Sequence, residues 1–460
     1  MVAVGDDDFF KITSDGHDVV GERSFDEIMM SSIASPTSVD NDDFSEIVSH
    51  DNNESKWFPS IAVDNDGNLH VVWSEIFLDG DIKSNIYYRM KSGDSWMPIE
   101  EISTGIELWL VNPSMALDSS GNVHVAWGSN KNESGSGTDI NVFYKVRTNG
   151  EWTSKELVST ESNADSNRPS LTVDRHDNVH ISWTDASDIP GTENTVSMFY
   201  KVRTASGWTP TKVIQSDAGS ECEISRVVVD NNGVVHITWI ELVVEDSVQQ
   251  IKHRAWQGNA WGDVQTVHQS PIDISVFTGL RKGLESDGRL HLIWSEHDYV
   301  DNPTTQNYHS MKEDGVWSKP ELIPLGIYDS SPAISMDKDD RLHVVTAAYP
   351  LDYDHEIHPW PETINIGYIT YHQGSWSEYR FVDPERQVDQ SVNSIIIDSD
   401  RSVHVVWLDL LPDSIDIRYA IIGNSELYAE SASGETAVGV LVVFIAGLFV
   451  ISMIVMRMRR

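Results

Sequence analysis

The chain has 460 residues and a formal net charge of −40, because 72 acidic residues outnumber 32 basic ones. So large an excess of acid excludes nucleic acid as a partner, since binding to a phosphate backbone needs a basic surface. The single cysteine, Cys222, excludes an intramolecular disulfide, so the stability of the fold must come from packing.

Residues 1–42 form an acidic segment without apolar periodicity, which predicts a disordered leader. Its first twenty residues are MVAVGDDDFFKITSDGHDVV. They contain neither a basic start nor an apolar run, and therefore do not resemble a secretory signal.

A pattern of about 50 residues follows and occurs seven times. Its first copy is PSIAVDNDGNLHVVWSE, residues 59–75: an apolar run ending in an acid, a turn with Gly67, and an alternating run with a histidine. The turn DNDG is typical of a hairpin, because glycine adopts a positive φ without strain. The repeat histidines stand 52 to 61 residues apart: His70, His124, His180, His236, His291, His343 and His404.

Each copy predicts four short strands, with no stripe of helical spacing between them. The third run is rich in aromatic residues, as in NIYYRMK, and the fourth follows a tryptophan, as in WMPIEEIS. Four strands in a repeat of this length are typical of propeller blades. The seventh copy lacks the tryptophan-led run, but DFSEIVSH, residues 43–50, supplies a matching one. The sequence therefore predicts an all-β fold, a seven-bladed β-propeller over residues 43–424 that is closed by an N-terminal strand.

Twelve of the sixteen tryptophans occupy two positions of the repeat, three residues after the histidine or at the start of the fourth strand. We expect both sets to pack between successive sheets. The histidines are too widely spread around a ring to share a metal ion. We expect each to hydrogen-bond within its own blade, to the acid six residues earlier. These acids are Asp64, Asp118, Asp174, Asp230, Glu285, Asp337 and Asp398.

The hairpins D-x-x-G-x-x-H-V-x-W, together with the turns KSGDSW, KEDGVW and YHQGSW, resemble the sialidase-like (BNR or Asp-box) propeller superfamily. The turns keep the tryptophan, and often the glycine, of that family's Asp box, but they are shortened and degenerate. The resemblance implies a propeller fold. It also implies glycoside cleavage by an arginine cluster, a tyrosine–glutamate nucleophile pair and an aspartate acid/base. The tyrosine pair and the aspartate have no assignable counterpart in this chain, so we predict no catalytic residue.

Four residues before the repeat acid, most copies carry serine or alanine, whereas the fourth and fifth carry Arg226 and Arg281. The third copy carries Arg168 two positions earlier. Three arginines on adjacent inner strands would suit a carboxylate-bearing ligand, because each guanidinium can bind two oxygens. Alternatively, the arginines neutralise acids at the ends of the second strands, among them Glu241 and Glu296. Both interpretations stay open, and these two acids are also candidate ligand-binding residues.

The sixth copy departs most from the repeat, with the long loop AAYPLDYDHEIHPWPETIN between its second and third strands. Long loops on rigid scaffolds often carry function. Tyr353 and Trp360 are candidates for stacking on a sugar ring. Asp352, Asp354 and Glu356 are the candidate metal ligands, with calcium as the ion considered, although calcium needs six to eight oxygens. No other cofactor is predicted.

Residues 437–456, AVGVLVVFIAGLFVISMIVM, carry no charge and are long enough to span a bilayer. They follow a linker, residues 425–436, and precede a basic tail, residues 457–460. Because arginines concentrate on the cytoplasmic side, we predict one C-terminal transmembrane helix, with the propeller outside the cell and the C-terminus in the cytoplasm. The missing signal leaves two explanations, a natural start further upstream or a tail-anchored protein with a cytosolic propeller. We favour an external propeller.

These features predict a single-pass protein of the cell membrane whose propeller binds a glycan, a peptide or a surface protein without catalysis. One alternative is a sialidase-like glycoside hydrolase, which a pair of carboxylates about 5 to 9.5 Å apart beside the arginines would favour. The other alternative is a structural spacer of the cell envelope. We expect a monomer that contacts the membrane through its C-terminal helix.

Overall fold

The structure is a computed structural model of the chain. It describes residues 45–50, 52, 54–79, 81–103, 112–130, 139–187, 195–215, 219–257, 260–271, 275–298, 305–324, 330–348, 365–381, 390–411 and 414–422. The predicted leader, linker, transmembrane segment and basic tail lie outside these ranges. No helix within these ranges is long and apolar enough to cross a membrane.

The ordered elements in these ranges are strands, numbered β1 to β34. The first copy holds β2 (Ser55–Val63), β3 (Leu69–Asp79), β4 (Asp81–Ser92), β5 (Ser95–Trp96) and β6 (Glu100–Glu101), preceded by β1 (Glu46–Ile47). The second and third copies hold β7 (Ser114–Leu117), β8 (Val123–Ser129), β9 (Asn141–Thr148), β10 (Glu151–Trp152), β11 (Glu156–Leu157), β12 (Ser166–Val173), β13 (Val179–Asp185), β14 (Ser197–Thr204), β15 (Gly207–Trp208) and β16 (Lys212–Gln215).

The fourth and fifth copies hold β17 (Ser220–Val229), β18 (Val235–Val243), β19 (Val248–Gln257), β20 (Ala260–Trp261), β21 (Gln265–Pro271), β22 (Ser275–Leu284), β23 (Leu290–Asp298), β24 (Thr305–Glu313), β25 (Val316–Trp317) and β26 (Glu321–Leu322). The sixth and seventh copies hold β27 (Ser330–Met336), β28 (Leu342–Ala348), β29 (Asn365–His372), β30 (Ser375–Trp376), β31 (Arg380–Phe381), β32 (Gln390–Ile397), β33 (Val403–Leu410) and β34 (Ile415–Ile422).

The second to sixth copies each form one antiparallel sheet. The predicted fourth strand is divided into two short pieces, as in β5 and β6, which both pair with β4. Pro98 lies between these two pieces, and proline cannot continue the ladder because it lacks an N–H. The sheets of the first and seventh copies join through one parallel pair, Ser55 with Ile415, into a nine-stranded sheet.

The first strands of successive copies lie side by side. Each lies against the first strand of the next copy, from β2 through to β32, and β32 lies against β2. At one position, here named the junction position, a serine hydroxyl accepts a hydrogen bond from the backbone of the next first strand. These bonds join Leu171 N to Ser114 Oγ (2.9 Å), Val227 N to Ser170 Oγ (3.2 Å) and Ile61 N to Ser394 Oγ (3.2 Å).

The hydrophobic core lies between successive sheets, where apolar residues of neighbouring copies pack together. The tryptophan three residues after the repeat histidine is at most 1% exposed, which confirms the packing prediction for Trp73, Trp127, Trp183, Trp239, Trp294 and Trp407. The tryptophans before the outer strands are half-buried and pack against the same cores, as predicted. Four of their indole N–H groups, those of Trp96, Trp152, Trp208 and Trp376, donate to a carboxylate of the neighbouring copy. Those of Trp261 and Trp317 have no hydrogen-bond partner among the described residues.

The repeat histidines bind within their own copies, as predicted. In the first three and last three copies, the imidazole Nε2 lies 2.7 to 3.3 Å from the acid six residues earlier. His236 differs, because its Nε2 has no hydrogen-bond partner among the residues that the structure describes. In five copies Nδ1 lies within hydrogen-bond distance of a tyrosine hydroxyl. His253 and His309 replace this tyrosine in the fourth and fifth copies.

A repeated contact, here named the clamp, fastens an outer strand to the next copy. Glu100 accepts the indole N–H of Trp152 at 2.8 Å and pairs with Arg147 at 2.7 Å. The same contact joins Glu156 to Trp208 and Arg203, and Glu46 of β1 to Trp96 and Lys91. An outer-strand carboxylate thus binds an indole and a cation of its neighbour.

β1 occupies the outer position of the seventh copy, where it pairs antiparallel with β34, Glu46 opposite Tyr419. Val48 is completely buried, and its carbonyl accepts a hydrogen bond from Arg89 of the first copy at 2.9 Å. Equivalent carbonyls elsewhere are those of Ile102, which accepts from Lys145, and Val158, which accepts from Lys201. β1 therefore makes the contacts that an outer strand makes between other copies.

Candidate functional site

The candidate site lies on the first strands of the third, fourth and fifth copies, β12, β17 and β22. Each contains one extra residue relative to its partner strand, a bulge. In β12 the bulge sets Arg168 at φ 52°, a left-handed conformation, and Gly279 stands at the equivalent place in β22 with φ 61°. The first copy has Phe58 at the same place with φ 52°, so the left-handed bulge residue is a feature of the repeat.

Arg226 and Arg281 occupy the junction position. Where the second, third and seventh copies place a serine that bonds to the next first strand, these copies place a guanidinium that bonds to its own chain. Arg226 Nη1 donates to the Ser225 carbonyl at 2.7 Å, and Arg281 Nη1 donates to the Leu280 carbonyl at 3.1 Å. Each guanidinium has five N–H groups, so most of its donors have no partner within the described part of the chain.

Lys282 adds a fourth cation. Burial, and then the charge of Arg226, lowers the pKa of Lys282 to about 8. The pKa of Arg226 is lowered to about 9 by burial and by the charges of Arg281 and Arg168. Burial lowers the pKa of Arg281 to about 10. These four residues, here named the inner cationic cluster, therefore lie within electrostatic reach of one another.

None of the four cations forms an ion pair with a carboxylate among the residues that the structure describes. The counter-charge interpretation placed the arginines against Glu241 and Glu296. Glu241 instead accepts the indole N–H of Trp239 at 3.0 Å and lies 3.8 Å from Lys252. Glu296 lies 3.5 Å from His268. The inner cationic cluster therefore carries positive charge that no described carboxylate neutralises, although the whole chain has a net charge of −40.

Two further acids, which the sequence analysis did not single out, lie on β17. Glu221 and Glu223 are two residues apart, on one face of the strand, which sets their Cα atoms about 6.6 Å apart. Burial, and next the charge of Glu223, raises the pKa of Glu221. A carboxyl of raised pKa beside a second carboxyl is typical of acid/base pairs. The signal in the sequence is ECE, since no other described first strand contains an acid.

The candidate residues of the long loop lie outside the described ranges. This holds for Tyr353 and Trp360 and for Asp352, Asp354 and Glu356, whose roles stay predictions. Within the ranges that are described, no group of three or more histidine, cysteine or acidic side chains could hold a metal ion. The site is therefore built from the first strands.

Lys282 is expected to destabilise the free protein. Its position holds an apolar residue in the other copies: Ile61, Met115, Leu171, Val227, Ile334 and Ile395. At pH 7 the folded state must keep this amine charged although its pKa is lowered, so Lys282→Ile should raise the melting temperature by about 2 °C.

The pH dependence follows from the same shift. Between pH 8 and 10.5 the amine is neutral in the folded chain but charged in the unfolded chain, so wild-type stability rises with pH relative to Lys282→Ile. Thermal denaturation at pH 7, 8, 9 and 10 measures the difference. If Lys282→Ile is less stable than the wild type at pH 7, the charged Lys282 amine does not destabilise the folded protein and the prediction is wrong.

No protein-family model matches the sequence, and no curated protein matches it. The fold is similar to that of a polysaccharide lyase of family PL25, an ulvan lyase, with a TM-score of 0.57 and 10% identity over 82% of this chain and 96% of that chain. The lyase bound to -[GlcA(1-4)Rha3S]- gives a TM-score of 0.56 and 10% identity over the same shares. A Hadza microbial sialidase gives a TM-score of 0.44 and 11% identity over 75% of this chain and 74% of that chain. The likeness to the lyase shows that the chain has an all-β propeller fold.

Proposed function

We propose that the seven copies form the blades of one closed propeller, with β1 as the outer strand of the last blade. Two observations support this. Each first strand lies against the next, and β32 lies against β2. The contacts of Glu46 and Val48 with the first copy also repeat contacts found between other copies. The inner cationic cluster would then line the central channel.

We infer that the protein binds an acidic glycan through the inner cationic cluster. The observation that carries this inference is the absence of carboxylate partners for four clustered cations among the described residues. Half-buried cations that repel each other are unfavourable in the free protein, as the lowered pKa values of Arg226 and Lys282 indicate. A bound anion would remove this cost, and guanidinium groups suit the planar oxygens of carboxylate or the oxygens of sulfate.

The solved lyase supports the choice of ligand class. Its complex holds -[GlcA(1-4)Rha3S]-, in which a uronic acid alternates with a sulfated sugar. Such a polymer presents an anionic group on each sugar. Four cations on three adjacent strands could contact more than one of these groups, which favours an acidic glycan over a peptide or a surface protein.

Cleavage of the bound glycan is the second candidate function. Glu221 and Glu223 favour it, because they place two carboxyl groups on one face of β17, and glycosidases act with a pair of carboxyl groups. The raised pKa of Glu221 suits a general acid, which must hold its proton until the leaving group takes it. This candidate corresponds to the glycoside hydrolase alternative of the sequence analysis.

One experiment separates these functions. The full chain in detergent is tested against uronic-acid and sulfated oligosaccharides, their neutral counterparts and an acidic peptide. We expect the acidic sugars alone to bind. Release of reducing ends, lost in Glu221→Gln, would identify an enzyme. A folded protein that binds none of the acidic sugars would refute the proposal and favour the alternative of a structural spacer of the cell envelope.

We propose that residues 437–456 anchor the propeller to the outer face of the cell membrane. The support is their length, their lack of charge and the arginines that follow. A chain that ends at residue 433 is expected to be soluble without detergent, whereas the full chain pellets with membranes. Protease treatment of intact cells distinguishes an external propeller from a cytosolic one. Membrane association of the shortened chain would contradict a single anchor.

A further inference from the structure

Three kinds of tie fasten one copy to the next at a joint, as the contact between two successive copies is named here. The first is the clamp. The second is a lysine or arginine that donates to an outer-strand carbonyl of the preceding copy, and the third is a junction-position serine that accepts a backbone N–H of the next first strand. The joint between the second and third copies has all three: Glu156 with Trp208 and Arg203, Lys201 with the Val158 carbonyl at 2.9 Å, and Ser114 with the Leu171 N–H at 2.9 Å. This joint is therefore tied from its outer strands to its first strands.

At the joint between the fourth and fifth copies, other residues replace all three ties. Gln265 stands where the clamp has a glutamate, opposite His253 in the register. Ser310 stands where other copies have the lysine or arginine, and its hydroxyl donates to the Ser318 carbonyl of its own sheet at 2.9 Å. Arg226 stands at the junction position, and a guanidinium cannot accept a backbone N–H. None of the three replacements makes the tie that its position makes between the second and third copies.

The fifth copy still carries the partners for a clamp. Lys312 lies opposite Trp317 in the register, as Arg203 lies opposite Trp208. The indole N–H of Trp317 has no hydrogen-bond partner within the described part of the chain. Lys312 Nζ lies 3.4 Å from the His253 ring, where the other clamp cations meet a carboxylate. Both groups would bind a glutamate at position 265.

Two hydrogen bonds between neutral groups still cross this joint. Gln265 Nε2 donates to the Gly315 carbonyl at 3.3 Å, and Asn231 Nδ2 donates to the Ser286 carbonyl at 3.1 Å. The hydroxyl of Thr238, a residue that is 2% exposed, has no partner among the described residues. Neutral hydrogen bonds stabilise less than bonds to charged groups. The joint is therefore held more loosely than the one between the second and third copies.

Two cations meet on the first strands of this joint. A junction-position side chain faces the next first strand, as the bond from Val227 N to Ser170 Oγ shows, so Arg226 faces β22. Lys282 occupies the position that faces the preceding copy, as Val227 does where it packs with Tyr200. Burial, and then the charge of Arg226, lowers the pKa of Lys282, in agreement with this placement. Each residue therefore presents N–H donors and a positive charge to the other.

We propose that an anionic group bound between Arg226 and Lys282 closes the joint between the fourth and fifth copies. This inference rests on the proposed binding of an acidic glycan and adds its structural consequence. The oxygens of one sulfate or carboxylate can accept hydrogen bonds from both copies at once and cancel the repulsion of the two cations. The ligand thus supplies a tie that the chain lacks. A ligand that binds only the closed joint must also stabilise it, because opening then requires release of the ligand.

Hydrogen–deuterium exchange of the full chain in detergent, with and without a sulfated oligosaccharide, tests the proposal. In the free protein, residues 281–284 and 306–317 should exchange faster than residues 170–173 and 197–208, their equivalents at the joint between the second and third copies. Sugar at ten times its calorimetric Kd should raise protection of the first pair of segments about tenfold, because the closed state gains a factor of one plus the ratio of ligand to Kd. The second pair should not respond.

Calorimetry on the same samples separates two kinds of failure. Sugar that binds without a gain in protection, or with an equal gain at both joints, would overturn the coupling and leave the proposed function standing. Sugar that does not bind would overturn both. Equal exchange at the two joints of the free protein would remove the premise of a loose joint.

Gln265→Glu provides the second arm, because it restores a carboxylate opposite Lys312 and Trp317. Protection of residues 306–317 in the free protein should rise about three- to tenfold, the range for a partly exposed hydrogen bond to a charged group. Glu156→Gln is the matched reverse change and should lower protection of residues 197–208 by a similar factor. A loss in Glu156→Gln without a gain in Gln265→Glu would show that the missing clamp does not loosen the joint, and the proposal would be wrong.

Discussion

Deletion of residues 1–52 is expected to abolish cooperative unfolding and to cause aggregation. It removes β1, and with it the buried Val48 side chain, worth about 2 kcal/mol. It also removes the clamp of Glu46 on Trp96, where a hydrogen bond to a charged group contributes roughly 1.5 to 3 kcal/mol. The fully buried carboxylate of Glu75 loses His50 and Asn52, its partners at 2.9 and 2.7 Å. Together these losses approach the whole stability of a typical domain, about 5 to 15 kcal/mol.

Aggregation follows from the same deletion, because the edge of β34 is then free to pair with another chain. Deletion of residues 1–38 is the matched control, and it should leave both calorimetric unfolding and sedimentation unchanged. Two point variants each test a single clamp. Glu46→Gln weakens the clamp between the seventh and first copies, and Glu100→Gln weakens the one between the first and second copies. Two deletions with identical unfolding would remove the case for β1 as a closing strand.

The strand pattern was predictable because every copy repeats the same local chemistry. An acid, a turn and a histidine six residues on imply a short hairpin in which the two side chains meet, as Asp64 and His70 do. The clamps were not predictable, because they join side chains about fifty residues apart, such as Glu100 and Arg147, whose meeting depends on how sheets stack. The division of the fourth strand depends on the same stacking and on residues such as Pro98.

The sequence indicated residues of the candidate site only at positions that depart from the repeat. Arg226 and Arg281 replace a serine at a recognisable position, so their proximity could be predicted. Lys282 stands three residues before the repeat acid, where the other copies are apolar, but the sequence analysis did not single it out. The counter-charge interpretation was reasonable from the sequence, but Glu241 is bound by Lys252 from the third strand of its own sheet. Sequence spacing alone does not reveal such a cross-strand partner.

Arg226→Ser and Arg281→Ser are expected to weaken binding of an acidic oligosaccharide by about 10- to 100-fold each, the effect of losing a hydrogen bond to a charged group of roughly 1.5 to 3 kcal/mol. Serine is the residue that other copies use at the junction position, as in Ser170. Each change therefore removes a cation of lowered pKa and supplies a group that can bond to the next first strand. Thermal stability should be unchanged or higher.

Arg168→Gly tests the third arginine in the same way. Glycine accepts φ 52° without strain, so the change removes the side chain while relaxing the backbone. Arg175→Ser is the matched control, because it removes one positive charge in the turn that follows β12, where Arg175 bonds to the Asn231 carbonyl. It should leave binding unchanged, which separates the cluster from a general effect of net charge.

The sign of the stability change decides between the two interpretations of the arginines. If they were structural counter-charges, their removal would leave carboxylates unpaired, and the melting temperature would fall without any effect on a ligand. If they bind an anion, affinity falls while stability holds. Wild-type affinity should also fall as pH rises above about 8, because Lys282 then loses its proton. Titration calorimetry at pH 7 and 9, with melting curves of each variant, measures both quantities, and weaker binding that always accompanies lower stability would defeat the anion site.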